Sequence, residues 1–254
     1  VGKYYPPHRG GMETHLADLC QELKSRVDLE VLVAHDENRT LTETIDGVEV
    51  VRLATPVSVL ANPINPELVG RIRRSQADIV HLHWPNPIAL LAYLASGSKA
   101  RLVVTYHSDI VRQKVSGALF QPILDRALRQ ATIIATSPNY VESSPVLRKH
   151  QSRCRVVPLG IDVERRSAVD FDRVRHFKQK YGDRMILATG RHIYYKGFQY
   201  LIQAMRDVDA HLVIAGDGPM RRELSSLVSL LNLEQKISFA GQVSDEDLQA
   251  LYSA

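Results

Sequence analysis

Ala188-Thr189-Gly190-Arg191-His192-Ile193-Tyr194-Tyr195-Lys196-Gly197-Phe198 is the stretch on which the reading of this chain turns. An apolar run at 185–188 ends in Gly190-Arg191. Lys196 follows, directly before Gly197 and a helix-like segment at 198–205. Strand, glycine turn and helix succeed one another, with two cations at the junction. A helix N-terminus offers free N–H groups and the positive end of a dipole, so such a junction suits a multiply charged anion. Arginine adds a planar fork for phosphate oxygens, and lysine a compact point charge. The same pair also reads as two solvated surface cations, and this run alone does not separate the readings.

Outward from the junction, segments alternate through the second half: strands at 185–189, 211–215 and 236–240, helices at 198–206, 220–231 and 245–253. In the first half strands are predicted at 29–35, 47–54, 78–84, 102–107, 132–136 and 155–158. Helices are predicted from Met12 onward, at 87–96, at about 115–129 and at 139–149. Short β-branched runs suit strands buried on both faces of a parallel sheet, and alternation with helices predicts an α/β fold with right-handed crossovers. Between the halves, Asp162-Val163-Glu164-Arg165-Arg166-Ser167 has no period and reads as a hinge or linker. The expectation is two facing, doubly wound, Rossmann-like domains, 1–165 and 166–254, the second incomplete, with ligands beyond the carboxyl ends of the strands. Val1-Gly2-Lys3 leave little room for a strand ahead of the first glycine turn, and Leu251-Tyr252-Ser253-Ala254 stop inside a helical pattern, so a longer parent chain is expected.

The 254 residues are 44% hydrophobic and 24% charged, as in ordinary globular proteins. A net charge of +4, from 32 basic and 28 acidic residues, is too even to argue for nucleic acid, and no nucleic-acid-binding signature accompanies it. Cys20 and Cys154 have no metal-type spacing and read as reduced thiols of a cytoplasmic protein. No apolar segment is long enough to span a bilayer, and no signal peptide is read.

A second glycine turn, Tyr5-Pro6-Pro7-His8-Arg9-Gly10-Gly11-Met12-Glu13, leads into a helix with Met12, Leu16, Leu19, Cys20 and Leu23 on one face. Gly10 and Gly11 let a bulky ligand approach the backbone, or simply form a turn; the dinucleotide G-x-G-x-x-G spacing is absent. His81 and His83 alternate in one strand and so share a face. The pair suggests a metal, but local sequence places no third ligand, and hydrogen bonding or cleft lining is the preferred reading. His107, in Thr105-Tyr106-His107-Ser108-Asp109, falls at the carboxyl end of a strand, as a contact to a sugar hydroxyl or leaving group or as a hydrogen-bonded core histidine. Gly160, in Pro158-Leu159-Gly160-Ile161-Asp162, reads as structural. Gly216-Asp217-Gly218-Pro219 is a further turn whose N–H groups can face a ligand, with Pro219 suited to a first helical position. In Gly241-Gln242-Val243-Ser244, Ser244 suits an N-cap. Arg71, Arg73 and Arg74 read as a solvated face ahead of a patch for anionic lipid. Trp84 reads as packing.

In their order these runs resemble the GT-B fold glycosyltransferases, specifically the large retaining family 4 or group 1. The first-half marks are Tyr5-Pro6-Pro7 with Gly10-Gly11, Glu13 and His15, then Asp78-Ile79-Val80-His81-Leu82-His83, Thr105-Tyr106-His107-Ser108-Asp109 and Val157-Pro158-Leu159-Gly160-Ile161-Asp162. The second-half marks are Gly190-Arg191 with Lys196-Gly197, Ala215-Gly216-Asp217-Gly218-Pro219, and Phe239-Ala240-Gly241-Gln242-Val243. The resemblance implies transfer of a hexosyl group, with retention, from a UDP- or GDP-sugar to an acceptor hydroxyl. It implies that Arg191 and Lys196 clamp the donor diphosphate, that Gly11 lets the N-terminal loop reach those phosphates, that His107 touches the transferred sugar, and that Val243 helps seat the base. Gly10, Gly190 and Gly216 join the donor-binding set, and His107, Arg191 and Lys196 form the catalytic one. No cofactor and no metal are implied. The implied acceptor is a saccharide, a lipid-linked saccharide or a polyol, with cytoplasmic location and a peripheral contact at the inner membrane face. The family's glutamate pair lies beyond residue 254, so the resemblance implies that these residues alone transfer sugar poorly. Two other readings stay open: a non-catalytic nucleotide-sugar binding module, and a GT-B sugar-nucleotide epimerase.

Overall fold

The computed structural model describes residues 1–8, 10–59, 62–110, 114–161 and 169–254, and for 114–119 the backbone alone. The predicted linker at 162–167 lies outside the described residues. The chain folds as two compact units, Val1–Ile161 and Asp162–Ala254.

The first unit runs α1 (Gly11–Leu23), β1 (Glu30–Ala34), β2 (Leu41–Ile45), β3 (Val48–Leu53), β4 (Val57–Val59), β5 (Asn62–Ile64), α2 (Glu67–Arg74), β6 (Ile79–Trp84), α3 (Pro87–Ser96), β7 (Arg101–Tyr106), α4 (Lys114–Leu128), β8 (Thr132–Ala135), α5 (Pro138–Ser143), α6 (Pro145–Lys149) and β9 (Cys154–Val156). β6, β7, β8 and β9 lie side by side and all parallel. β1 pairs β3 in parallel, whereas β2 pairs β3 antiparallel, and β4 and β5 form a small antiparallel pair. Val1, Gly2 and Lys3 bridge the two larger sheets. Gly2 N donates to Leu32 O at 3.1 Å and Ala34 N to Lys3 O at 3.0 Å; on the other side, His83 N donates to Val1 O at 3.2 Å. These residues tie the strands together through single backbone hydrogen bonds without forming a strand element of their own.

Side-chain alternation sorts the layers. Leu32 of β1 and Val80, Leu82 and Trp84 of β6 enter one core with Leu68 and Ile72 of α2 and Ala89 and Leu90 of α3. Val31 and Val33 enter the opposite core with Leu16 and Cys20 of α1. Local chemistry sets the helix ends. The Asn86 side chain accepts from Ala89 N ahead of Pro87, and Gly97 at φ 66° ends α3. The single helix predicted at 139–149 is two. Ser144 is extended, as a residue before proline tends to be, and Pro145 has no N–H to continue α5, so Ser144 caps a new helix instead.

The second unit runs α7 (Phe171–Tyr181), β10 (Met185–Thr189), α8 (Phe198–Ala204), β11 (His211–Ala215), α9 (Arg221–Leu230), β12 (Ile237–Gly241) and α10 (Asp245–Ser253). Its sheet is parallel in the order β10-β11-β12. Leu212 and Ile214 pack with Phe198, Ile202, Leu224 and Val228 of α8 and α9, whereas Val213 packs with Tyr181 of α7 and Leu251 of α10. Helices thus cover both faces. At roughly 1.5–3 kcal/mol per buried apolar side chain, these layers outweigh the solvent-screened, exposed ion pair between Arg173 and Asp247. α9 begins at Arg221, so Pro219 lies in the turn before it and not at its first position. Among the described residues no helix is long and apolar enough to cross a membrane.

Candidate functional site

The strands of the second unit end together: Thr189 lies beside Ala215, and Ala215 beside Gly241. The turns that follow are joined through their backbones. Gly190 N donates to Ala215 O at 3.0 Å, and Gly216 N to Gly241 O at 2.6 Å. Gly190, Gly216 and Gly241 hold φ values of +148°, +119° and +69°, which side chains resist. A Cβ on Gly216 would stand 2.1 Å from the Gly190 carbonyl oxygen, and one on Gly218 would stand 2.7 Å from that of His192. The carboxyl end of this sheet therefore presents closely packed, bare backbone.

Both predicted cations stand on that end. Arg191 follows Gly190 and is exposed. Lys196 ends the 3-10 turn Tyr194–Lys196, and Gly197, at φ 71°, then starts α8. The Lys196 stem passes 3.6 Å from where a Cβ of Gly190 would lie, so its chain runs over the same turn that carries Arg191. Neither cation forms an ion pair with a carboxylate among the described residues. Two exposed cations beside bare backbone suit an anion with several oxygens. Val243 is half-buried and packs against Tyr181, Val213 and Leu251.

Sequence reasoning passed over His192, between the two cations. It is fully buried, its ring lies against Phe198 and Phe239, and its backbone N donates to Asp217 O at 2.9 Å. Neither ring nitrogen has a hydrogen-bond partner among the described residues. Arg221 stacks on Phe239 with its guanidinium carbon 3.9 Å from the ring centroid. Burial, reinforced by Arg221, lowers the His192 pKa, with Asp217 opposing. Local sequence, with Arg191 directly before His192, carried no signal for this burial, because its aromatic neighbours come from α8 and β12.

In the first unit, β6 sends Val80, Leu82 and Trp84 to one face and His81 and His83 to the other, as the alternation predicts; their rings stack at 4.8 Å. His107 directly follows β7, and its Nε2 lies 3.1 Å from His83 Nδ1. His15 approaches from α1, its ring 5.6 Å from that of His83 and 5.3 Å from that of His107. His81 Nε2 is bound to Thr105 Oγ1 at 2.7 Å. The third ring that local sequence could not supply thus comes from a distant helix. One ligand atom from each of His15, His83 and His107 lies within 4.8 Å of the others, close enough to hold a metal ion. Burial lowers the His107 pKa to about 4 and that of His81 to about 3, and it lowers those of His15 and His83 as well.

The remaining candidates separate. Gly10 precedes α1, and the Glu13 carboxylate lies against it, whereas nothing stands within 4 Å of a Cβ built on Gly11. The loop ahead of them is held by Arg52, buried in β3, which donates to Tyr5 O, to Pro6 O and to the Glu43 carboxylate. Arg73 donates to Ser96 O at 3.1 Å and Ala95 O at 3.2 Å, tying α2 to the end of α3, so one member of the suggested lipid patch has a structural role. Trp84 is buried and stacks on Tyr106 and Phe120, as packing requires. Cys20 and Cys154 are free.

Two units built on parallel strands, the second with a glycine turn after each strand, are the architecture of a GT-B glycosyltransferase fold. The chain belongs to glycosyltransferase family 4, group 1: the profile described as Glycosyltransferase Family 4 matches residues 9–165, and that described as Glycosyl transferases group 1 matches residues 170–254. It is 33% identical over 246 residues to the D-rhamnosyltransferase WbpZ of Pseudomonas aeruginosa, covering 95% of this chain and 64% of that protein. It is 32% identical over 256 residues to the O-antigen chain mannosyltransferase C of Escherichia coli, covering 98% of this chain and 68% of that protein. The fold matches that of Anabaena Alr3699/HepE, solved with UDP and glucose, at a TM-score of 0.75 and 17% identity over 100% of this chain and 71% of that one. The chain thus spans about two thirds of each of these proteins.

Proposed function

We propose that this chain belongs to a retaining hexosyltransferase that takes its sugar from a nucleoside diphosphate carrier, UDP or GDP, and passes it to a saccharide hydroxyl. The observation that carries this reading is the pair Arg191 and Lys196 on the turn at Gly190, beside the backbone of Gly216 and Gly241. The names of the rhamnosyl and mannosyl relatives support the transferred group and, through the O-antigen protein, a saccharide acceptor. The UDP and glucose held by HepE support a nucleotide-sugar donor.

The chemistry follows from charge. The anomeric C–O bond to phosphate breaks, and negative charge grows on the departing diphosphate. Arg191 and Lys196 stabilise that charge where it develops. The acceptor oxygen bonds to the anomeric carbon on the face the phosphate leaves, and its proton passes to a phosphate oxygen, which gives retention. Membership of the family supports assigning His107 to the transferred sugar and Gly10, Gly11 and Val243 to the donor.

The test is a thermal-shift panel of UDP, GDP, ADP and their sugars on the full-length gene product. A ligand that binds only the folded protein raises its melting temperature. The reading predicts a shift for one nucleotide class and its loss in Lys196→Ala. Equal turnover in Lys196→Ala and the parent would sink the clamp.

A further inference from the structure

We propose that His15, His83 and His107 form a binding site for a borderline transition dication, with Zn²⁺ as the reference ion. The three side chains come from three elements, α1, β6 and the residue after β7, and converge on one point. A tetrahedral Zn²⁺ with Zn–N bonds of about 2.0–2.1 Å sets its ligand nitrogens roughly 3.3 Å apart. His83 Nδ1 and His107 Nε2 already stand 3.1 Å apart. All three ligand atoms lie within 4.8 Å of one another, so a small rotation of the half-buried His15 closes the set.

Ligand chemistry selects the ion. Three imidazoles and no carboxylate suit Zn²⁺, Ni²⁺ or Cu²⁺ and disfavour Mg²⁺ and Ca²⁺, which require oxygen. His81 stays outside the set, because its Nε2 is taken by Thr105 while its ring supports His83. Three protein ligands leave a fourth position for water or a substrate oxygen. The hydrogen bond between His83 and His107 gives way when the ion enters. Whichever ring donated moves its proton to its other nitrogen, so that both lone pairs face the metal.

One consequence rests on the proposed role of His107: held by the ion, it is withdrawn from the sugar, and Zn²⁺ inhibits transfer. Untagged full-length protein is titrated with Co²⁺, whose visible absorption reports tetrahedral nitrogen ligation, and then with Zn²⁺. The expected result is absorption that saturates near one equivalent and is displaced by Zn²⁺. Zn²⁺ affinity should fall more than about 100-fold in His15→Ala and His15→Gln, beyond the usual effect of losing an outer partner. It should not change in His176→Ala. No absorption, or equal affinity in the parent and both His15 variants, overturns the site. Binding without inhibition leaves the site standing and overturns the sugar contact of His107.

Discussion

Gly216 meets Gly190 backbone to backbone, and a Cβ at position 216 would stand 2.1 Å from the Gly190 carbonyl oxygen. That oxygen belongs to the turn carrying Arg191, so it has no flexible end to swing away. Gly216→Ala must also hold φ at +119°, a further strain. The expected loss is about 3 kcal/mol or more, summed from overpacking and backbone strain, read as a lower urea midpoint. Gly97→Ala is the contrast. Its φ is +66° but nothing lies within 4 Å, so only the backbone penalty of about 1–2 kcal/mol applies.

Arg191→Ala and Lys196→Ala should separate catalysis from folding. Both side chains are exposed and make no ion pair among the described residues, so the melting temperature should stay within a degree or two, as for surface changes of under about 0.5 kcal/mol. Removing one donor to a developing oxyanion costs about 100- to 1,000-fold in turnover elsewhere. The same range in kcat is expected for each variant of the full-length enzyme. A fall in melting temperature that tracks the fall in rate would mean that the loop had been damaged.

The parallel strands were legible because β6, β7, β8 and β11 are short β-branched runs between turn residues, and burial on both faces demands that pattern. β2 was not. Leu41-Thr42-Glu43-Thr44-Ile45 is a mostly exposed strand pairing on one side only, so its composition carries no core signal. α7 escaped for a related reason, as only Val174 and Tyr181 are buried in a highly charged helix. The cations at 191 and 196 could be read from position, because strand, glycine and helix dictate where a loop goes. The convergence of His15 with His83 and His107 could not, since it depends on how α1 packs on the sheet.

Arg52→Met should loosen the turn that precedes Gly10. The guanidinium is buried and holds two carbonyls of that turn together with Glu43, which is half-buried. Removing one partner of a buried pair costs about 3–5 kcal/mol; water reaches Glu43, which lowers the expected loss to about 2–3 kcal/mol. Amide exchange at residues 4–8 should speed up more than at β7. Uniform acceleration across the unit would mean that Arg52 serves the sheet and not the turn.

His192→Phe tests the buried imidazole through pH. The folded pKa lies below the unfolded value of about 6.5. Between the two values the unfolded chain binds more protons, so stability rises with pH there. The penalty is absent above about pH 6.5 and grows as pH falls toward the folded value. Phenylalanine has no proton to gain and removes two ring nitrogens that lack partners, while adding some bulk against Phe198 and Phe239. Stability at pH 7.5 should therefore change by less than about 1 kcal/mol. The drop between pH 7.5 and pH 5 should be smaller than in the parent. Amide exchange in β11, whose Leu212, Val213 and Ile214 are fully buried, reads the opening of this unit directly. An acid limb as steep in His192→Phe as in the parent would assign the pH dependence to another group.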